Sequence, residues 1–275
     1  MKKDKIKKNI NITLFTIAIL LLGFNVSASA LSQTTINNKG IEISQSEYNN
    51  LLNLGFTDNE ILNMTLKEYN ENKNLKGEVV SKNIVYFDEN EKINSKNNGI
   101  ELFGIQNGSI TTASKKMITT IVSVNNRYRY KVSLEWTKIP STRSYDIIGL
   151  GIDNTVKVYS TPVFQQNFCY SSNNCSSSNT HTRNTSSVGI GASFRLPTAK
   201  LVSLSSYLYF DVEKRNSGTL TSQNAYGDYS HATKSISQEY ITNYYVNRGG
   251  IILDSSISDY YDNITPAVAK WTGSW

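Results

Sequence analysis

Apolar and polar side chains alternate without a break from Tyr128 to Thr137. Successive side chains of a strand point to opposite faces, so this pattern predicts a β-strand with one buried and one solvent-exposed face. The turn residues Asn125-Asn126-Arg127 come just before it, so Met117–Val124 and Tyr128–Thr137 are predicted to form a hairpin. The side chains predicted to face the core are Tyr128, Tyr130, Val132, Leu134 and Trp136, and those predicted to face water are Arg129, Lys131, Ser133, Glu135 and Thr137.

Shorter apolar stretches follow, separated by turn residues such as Asp153-Asn154, Asn216-Ser217-Gly218 and Gly249-Gly250. Because no helical pattern lies between them, they predict a mainly β fold, an antiparallel β-sandwich or barrel. Ser171–Ser187, rich in Ser, Asn and Thr, is predicted to be a long polar loop. The predicted strands are Glu78–Phe87, Tyr145–Ile152, Thr155–Phe164, Ser187–Arg195, Ser206–Lys214, Tyr229–Ile236, Ile241–Val246 and Thr265–Trp275.

A different pattern occupies residues 44–75, where a Ser or Thr is followed three residues later by Glu at three places. In such a capping box the hydroxyl accepts from a free backbone N–H and the Glu reaches back to the cap residue. The boxes begin at Ser44, Thr57 and Thr65, and Gly55 lies where the first helix is expected to end. These signals predict two or three short helices that pack on each other.

The first thirty residues have the pattern of an export signal. A lysine-rich start precedes the uncharged apolar run Ile12–Phe24, and small residues follow it. A spanning helix needs about 20 apolar residues, and this run is shorter. We therefore expect a signal peptide over residues 1–30, cleaved after Ala28 or Ala30, and a secreted, extracellular protein.

The remaining chain divides by composition. The expected parts are a small helical N-terminal segment or prosegment at 31–87, a polar linker at 88–100 and a β-sandwich domain at 101–275. Residues 31–100 carry 7 basic and 10 acidic side chains, a net of −3, and residues 101–275 carry 16 and 11, a net of +5. Opposite charges would let the two parts lie against each other, although short segments also differ in charge by chance.

Without residues 1–30, the chain has 23 basic and 21 acidic side chains, a net of +2. Its basic residues are scattered, whereas nucleic-acid binding needs a clustered basic face, so no nucleic acid is expected as a partner.

The two cysteines, Cys169 and Cys175, lie six residues apart in the exported part, where a disulfide across a hairpin tip is allowed. We expect that bond, with a pair of free thiols as the alternative.

Enzymatic chemistry finds little support in the sequence. His181 and His231 are the two histidines, no Gly-x-Ser-x-Gly motif is present, and no zinc or calcium motif occurs. Asp211 and Glu213 share one strand face, whereas glycoside hydrolysis uses carboxylates on opposite sides of a bond. We expect no catalytic residue, no metal and no cofactor, and a protein that is more a binder than an enzyme.

Tyrosine is the dominant aromatic residue, with 17 copies against 9 Phe and 3 Trp. Tyr244-Tyr245 and Tyr260-Tyr261 are adjacent pairs, and each pair is predicted to place one ring inside and one outside. Exposed tyrosines suit the recognition of glycans or proteins, although Tyr is also a good strand residue. The predicted binding residues are Tyr226, Asp228, Tyr229, His231, Tyr245 and Tyr261.

Several segments carry a resemblance to a known group. They are Arg129–Trp136, Pro140–Asp146, Tyr209–Lys214 and Asn224–Thr233. In these the chain resembles uncharacterised secreted β-rich proteins of spore-forming Gram-positive bacteria, over residues 45–275. The resemblance implies an extracellular location and a β-rich architecture, and it brings no assigned activity, cofactor or catalytic residue.

Three functions are compatible with these observations. The first is a secreted, non-enzymatic protein that binds a glycan, a cell-envelope component or a protein through a Tyr-rich β-sandwich surface. The alternative is a membrane-active toxin or bacteriocin-like protein, activated by removal of its N-terminal segment. The best candidate for a membrane-inserting hairpin is Ser109–Val124. Both faces of this segment contain apolar residues, so it fits a hairpin of the protein core better. The third is a glycan-acting hydrolase that uses Asp211, Glu213 or Asp228. The partner class stays open between a glycan, a cell-surface component and a membrane.

Overall fold

The alternating segments form antiparallel strands in the computed structural model, which describes residues 34–87, 113–262 and 264–275. The expected signal peptide, with Ala28 and Ala30, and the linker at 88–100 lie outside these residues. The strands are β1 (Thr34–Ile36), β2 (Glu42–Ser44), β3 (Gly77–Phe87), β4 (Lys115–Val124), β5 (Arg127–Trp136), β6 (Tyr145–Ile152), β7 (Val156–Val158), β8 (Val163–Ser171), β9 (Asn174–Ser178), β10 (Thr182–Ser186), β11 (Gly189–Arg195), β12 (Ser203–Lys214), β13 (Ser222–Ser230), β14 (Tyr244–Asn247), β15 (Gly250–Leu253) and β16 (Ala267–Thr272).

Two large antiparallel sheets pack face to face, as the sequence predicts. One has the order β3-β4-β5-β12-β8-β9, with β7 beside the end of β12, and the other has the order β10-β11-β6-β13-β16. Their inner faces share one apolar core, to which Tyr130, Leu134 and Phe210 contribute from the first sheet and Leu150 and Phe194 from the second. The predicted β4–β5 hairpin is confirmed, and Asn125 takes a positive φ of 55° in its turn.

The prediction of a solvent-exposed face on β5 is wrong for most of the strand. Arg129, Lys131 and Ser133 are all buried, with 5%, 1% and 1% of their surface exposed. The N-terminal helices cover this face, and their apolar residues form a second core with Val122 and Tyr207. A local pattern of alternation cannot show that another segment of the chain covers the polar side of a strand.

The three predicted helices are α1 (Gln45–Asn53), α2 (Asp58–Asn63) and α3 (Leu66–Asn72). Ser44 and Thr57 form complete capping boxes, and Gly55 has a positive φ of 81° after α1, as predicted. Thr65 also caps its helix, but the side chain of Glu68 turns away from the cap and accepts a hydrogen bond from the Tyr207 hydroxyl at 2.5 Å. In the third box the Thr65 hydroxyl therefore still accepts from the Glu68 N–H, whereas the Glu68 carboxylate bonds to the sheet and not to the Thr65 N–H.

A buried ion pair joins the N-terminal part of the chain to the sandwich. Lys131 Nζ on β5 lies 2.8 and 2.7 Å from the two carboxylate oxygens of Glu60 on α2. Both side chains are buried, with 1% and 2% of their surface exposed. β3 also pairs with β4 along its length, so residues 34–87 are joined to the sandwich by helices and by a strand.

Three sequence predictions about the strands after β6 fail. Thr155–Phe164 is interrupted, because β7 ends at Val158 and β8 begins at Val163. The predicted loop Ser171–Ser187 instead contains β9 and β10, whose Ser- and Thr-rich sequences pair with β8 and β11. The predicted strand Tyr229–Ile236 is shifted, because β13 ends at Ser230.

The shift of β13 has a local cause. Beyond Ser230 the backbone leaves the sheet, since the N–H groups of Ala232 and Ile236 donate to the side chains of Asp146 and Ser144. Upstream, the polar residues of Ser222–Ser230 gain partners on both sides, from β6 and β16. Tertiary contacts thus override the low strand propensity of this segment.

Residues 232–262, called here the cap, cover the outer face of the second sheet. The β14–β15 hairpin lies on glycines of β6 and β11. A Cβ atom at Gly149 would lie 2.7 Å from Ile251 Cγ1, and one at Gly189 would lie 2.7 Å from Val246 Cγ1. The absence of side chains at these positions lets the hairpin pack directly on the sheet.

Candidate functional site

The predicted binding residues of β13 separate onto two faces. Tyr226 and Asp228 point toward the cap side, and Tyr229 points into the core. The Tyr226 hydroxyl donates to Asp153 Oδ1 at 3.0 Å and the ring is half-buried. Asp228 is buried and accepts at 2.7 Å from the backbone N–H groups of Tyr229 and Ile251. In this arrangement these three residues do not form one exposed surface, and their role in binding stays a prediction.

Tyr229 and His231 meet at an aspartate that the sequence analysis did not select. Asp146, with none of its surface exposed, accepts from the Tyr229 hydroxyl at 2.5 Å and lies 2.9 Å from His231 Nδ1. It also accepts from the Ala232 backbone N–H at 3.0 Å. A charged residue near the start of the apolar stretch Tyr145–Ile152 was the available signal, but its partners lie more than eighty residues away along the chain.

Asp228 gives stability a pH dependence of known sign. Burial raises its pKa from 3.8 to about 8, although two backbone N–H donors act in the opposite direction. Folded protein therefore holds this proton between those pH values while unfolded chain has released it. The contribution is fully present below about pH 4 and is lost as the pH rises through about 8.

We expect Asp228→Asn to flatten the fall in the free energy of unfolding across this window, because Asn does not titrate. Urea denaturation at a series of pH values measures the slope. Glu68, whose pKa burial raises to about 7, adds a slope of the same sign and is left intact in this variant. Equal slopes for the variant and the natural protein would contradict the assignment of the proton to Asp228.

The adjacent tyrosine pairs divide as predicted. Tyr244 is 4% exposed and Tyr245 is 52% exposed; Tyr261 is 6% exposed and Tyr260 is 40% exposed. Tyr240, also exposed, lies on the same cap. Thus Tyr245 is accessible to a partner, whereas Tyr261 is part of the core between the cap and the sheet.

The expected disulfide is present. Cys169 at the end of β8 and Cys175 in β9 are bonded, and they face each other in the strand register. A bond of this kind persists in oxidising surroundings such as the extracellular space. It closes the tip of the β8–β9 hairpin, and Lys39 of the N-terminal segment donates to the Cys175 carbonyl oxygen at 3.1 Å.

An open cleft of about 530 Å³ lies at the end of the sandwich where the β4–β5 turn meets the end of β12. Its volume is within the range of small-molecule sites. It is lined by Asn125, Asn126, Arg127, Glu213, Lys214, Arg215, Asn216, Ser217 and Trp275. Its walls thus combine amides, three cations, one carboxylate and an indole ring.

Neighbouring contacts fix the aromatic wall of the cleft. The Trp275 Nε1–H donates to the Asn126 carbonyl oxygen at 3.3 Å, and the indole meets the Tyr128 ring edge-on at 4.6 Å. Lys214 Nζ lies 5.9 Å from the centre of the same indole. The ring is therefore held by the hairpin and is not free to collapse into the cleft.

The cations of the cleft differ in how they are bonded. Arg215 donates to the carbonyl oxygens of Asn154, Val156 and Ser187, and so it ties neighbouring loops together. Arg127 instead stacks on the exposed Tyr159 ring, with its guanidinium carbon 3.5 Å from the ring centre. Among the described residues no hydrogen bond engages the Arg127 N–H groups, which leaves a planar set of donors at the mouth of the cleft.

The carboxylates considered for hydrolysis do not meet. Glu213 lines the cleft and pairs with Lys157 at 3.1 Å. Asp211 lies beneath the N-terminal helices and pairs with Arg129 at 2.8 Å. Asp228 is on the other sheet. Of the described residues that line the cleft, Glu213 is the one carboxylate, so the pair that glycoside hydrolysis requires is not assembled there.

No family model matches the chain, and no curated protein matches it. Solved structures match distantly. A structure named BspA_C_WT matches over 42% of this chain, with a TM-score of 0.27 and 8% identity. The pilus backbone RrgB from Streptococcus pneumoniae matches over 40% of this chain, with a TM-score of 0.27 and 6% identity. This chain spans 54% and 26% of their respective lengths. The KRT10-binding region of the pneumococcal serine-rich repeat protein PsrP matches with 0.31 and 15% identity, over 66% of this chain and 99% of that one.

Within the described residues, no helix is both long enough and apolar enough to cross a bilayer. The same residues contain no group of three or more His, Cys, Asp or Glu side chains arranged to hold a metal ion.

Proposed function

We propose that this chain is an extracellular, non-enzymatic protein that binds an anionic glycan in the cleft between the β4–β5 turn and the end of β12. The observation that carries the proposal is Arg127, which is held by stacking on Tyr159 and keeps its donors unpaired among the described residues. Such a planar fork matches the geometry of a carboxylate or phosphate.

The other walls suit a sugar. A fixed indole such as Trp275 offers an apolar face against which the C–H face of a pyranose can pack, as aromatic rings do in ligand sites. The side chains of Asn125, Asn126 and Asn216 can both donate to and accept from sugar hydroxyls. Among the side chains that line the cleft, three cations against one carboxylate favour an acidic residue in the glycan.

The extracellular location is supported by two independent features. The sequence of residues 1–30 predicts an export signal, and Cys169 and Cys175 form a disulfide. We also propose that residues 34–87 belong to the working protein and are not a prosegment. Their removal would take Glu60 away from Lys131, expose the apolar residues of the sheet that pack against the helices, and leave the β3 side of β4 unpaired, which argues against activation by cleavage.

Arg127→Ala and Trp275→Ala are each expected to weaken binding to polygalacturonate by about tenfold or more, because central Arg and aromatic contacts dominate such sites. Isothermal calorimetry with polygalacturonate as the acidic probe and dextran as the neutral one measures the effect. Arg127→Lys is expected to recover little affinity, because lysine keeps the charge and loses the planar fork.

Arg248→Ala is the matched control, since it removes one exposed arginine from the cap, away from the cleft. An equal loss in Arg248→Ala would mean that general attraction between charges, not the cleft, holds the polymer. A loss of affinity in Tyr245→Ala alone would indicate that the polymer binds to the exposed tyrosines of the cap and not to the cleft. Unchanged affinity in Arg127→Ala would overturn the proposal.

A further inference from the structure

Lys115 and Asp262 meet at one end of the core, although 147 residues separate them in the chain. Lys115 opens β4, and its side chain is 4% exposed. Asp262 closes the cap just before the last strand, and its side chain is 23% exposed. Lys115 Nζ contacts Asp262 Oδ2 directly. The pair therefore links the start of β4 to the end of the cap, just before the last strand.

Backbone contacts fix the Asp262 carboxyl group in place. Its Oδ1 accepts from the His231 N–H at 2.7 Å, while its own N–H donates to the His231 carbonyl oxygen at 2.9 Å. His231 is itself held by Asp146, whose carboxylate lies 2.9 Å from its Nδ1. One carboxyl oxygen thus faces a backbone donor and the other faces the lysine.

The lysine is poorly bonded for a buried ammonium group. An ammonium has three N–H donors. Among the described residues, Asp262 is the one hydrogen-bond acceptor for Lys115 Nζ, and the Trp136 ring lies 5.4 Å away. Lys131, the other deeply buried lysine in a salt bridge, is bonded to both oxygens of Glu60 and to the Ser133 hydroxyl. Unpaired donors in a buried site cost free energy. A reaction that removes two N–H donors therefore stabilises the site of Lys115 more than it would stabilise the site of Lys131.

We propose that Lys115 and Asp262 are joined by an amide bond, an internal cross-link of the β-sandwich. Within the buried pair, one proton passes from the ammonium to the carboxylate and gives a neutral amine and a carboxylic acid. The amine lone pair attacks Asp262 Cγ, and a bond forms between Nζ and Cγ. The Cγ–Oδ2 bond then breaks, and Oδ2 leaves as water with one proton of its own and one from the nitrogen. No oxidant or other reactant is needed.

The surroundings assist each part of this step. The His231 N–H lies where negative charge develops on Oδ1 as the amine attacks, which is the position of an oxyanion-stabilising donor. The Trp136 ring covers Nζ and meets the His231 ring at 4.8 Å, which limits the access of water to the amine. The partial exposure of Asp262 leaves a way out for the released water. The product amide carries one N–H donor in place of three.

The cross-link would close the chain from β4 to the end of the cap into one covalent loop. This property is separate from glycan binding and would remain if the cleft proposal failed. An internal covalent loop restricts the unfolded chain, by the same reasoning that applies to a long disulfide loop.

Intact mass spectrometry of the full secreted protein after reduction and denaturation tests the proposal. The measured mass is expected to be lower, by one water molecule, than the mass calculated from the sequence that starts at the observed N-terminus. Tryptic mapping is expected to show one branched peptide that joins the Lys115 and Asp262 segments. A mass that shows no loss of water, or a loss confined to a single linear peptide, would overturn the proposal.

Variants add a second line of test. Lys115→Arg and Asp262→Ala are expected to keep the full mass of their sequences, and circular dichroism shows whether each has folded. Asp262→Asn is expected to form the same amide with loss of ammonia, and so to reach the same final mass as the natural protein. Lys116→Ala is the matched control, because Lys116 pairs with Glu135 at 2.8 Å on the same strand and its loss leaves the cross-link intact.

Discussion

Glu60→Ala is expected to lower the free energy of unfolding by about 3–5 kcal/mol, the cost of removing one partner from a buried ion pair. Lys131 would remain under the helices with 1% of its surface exposed, bonded to the Ser133 hydroxyl alone. Burial already lowers the pKa of Lys131, and Glu60 is the main group that opposes this effect. Urea denaturation monitored by tryptophan fluorescence measures the change.

The matched control is Lys67→Ala, which breaks a salt bridge of 4.0 Å between side chains that are 86% and 51% exposed. Exposed pairs of this kind contribute about 0–1 kcal/mol, so little change is expected. The double variant Glu60→Gln with Lys131→Met is expected to recover part of the lost stability, because no buried charge is left unpaired. A similar small effect for Glu60→Ala and Lys67→Ala would show that the helical segment does not depend on this ion pair.

Gly151→Ala is expected to destabilise the protein by about 3 kcal/mol, at the upper end of the range for overpacking. The added Cβ would overlap the backbone carbonyl of Asn247, whose carbon would lie 2.9 Å away, and would lie 3.3 Å from Tyr226 Cβ. Since the obstacle is backbone, no rotation of a side chain relieves it. The cap hairpin has to move away from the sheet.

Gly218→Ala is the control, because a Cβ there would meet nothing within 4 Å. Urea denaturation gives the change in stability, and hydrogen exchange shows where it acts. In Gly151→Ala the amides of Tyr244–Asn247 and Gly250–Leu253 are expected to lose protection first. Uniform loss across both sheets would contradict a local displacement of the cap.

Sequence patterns were sufficient where a local rule governs the structure. The β4–β5 hairpin, the three capped helices, the split tyrosine pairs and the Cys169–Cys175 bond each follow from residues close together in the chain. The polar strands β9, β10 and β13 were missed, because their pairing depends on neighbours supplied by distant segments.

The candidate site could be predicted only in small part. Glu213 was selected for hydrolysis and proves to line the cleft, but Arg127 and Trp275 were not selected. The cleft joins a hairpin turn, a strand end and the last residues of the chain, and no spacing in the sequence relates these three. Likewise, the importance of Asp146 follows from three donors that reach it from β13 and the segment after it.

The strand order of the second sheet also bears on how quickly the protein can fold. Its central neighbours β6 and β13 are separated along the chain by β7 to β12, most of which belong to the other sheet. Neither sheet can therefore be completed alone, and few native contacts are available to a partly folded chain. Domains dominated by such distant pairings fold in roughly milliseconds to seconds, far more slowly than helical ones. While the chain is only partly folded, the apolar strands of both sheets are exposed together. The chain is therefore more prone to aggregate during folding than after the sandwich is complete.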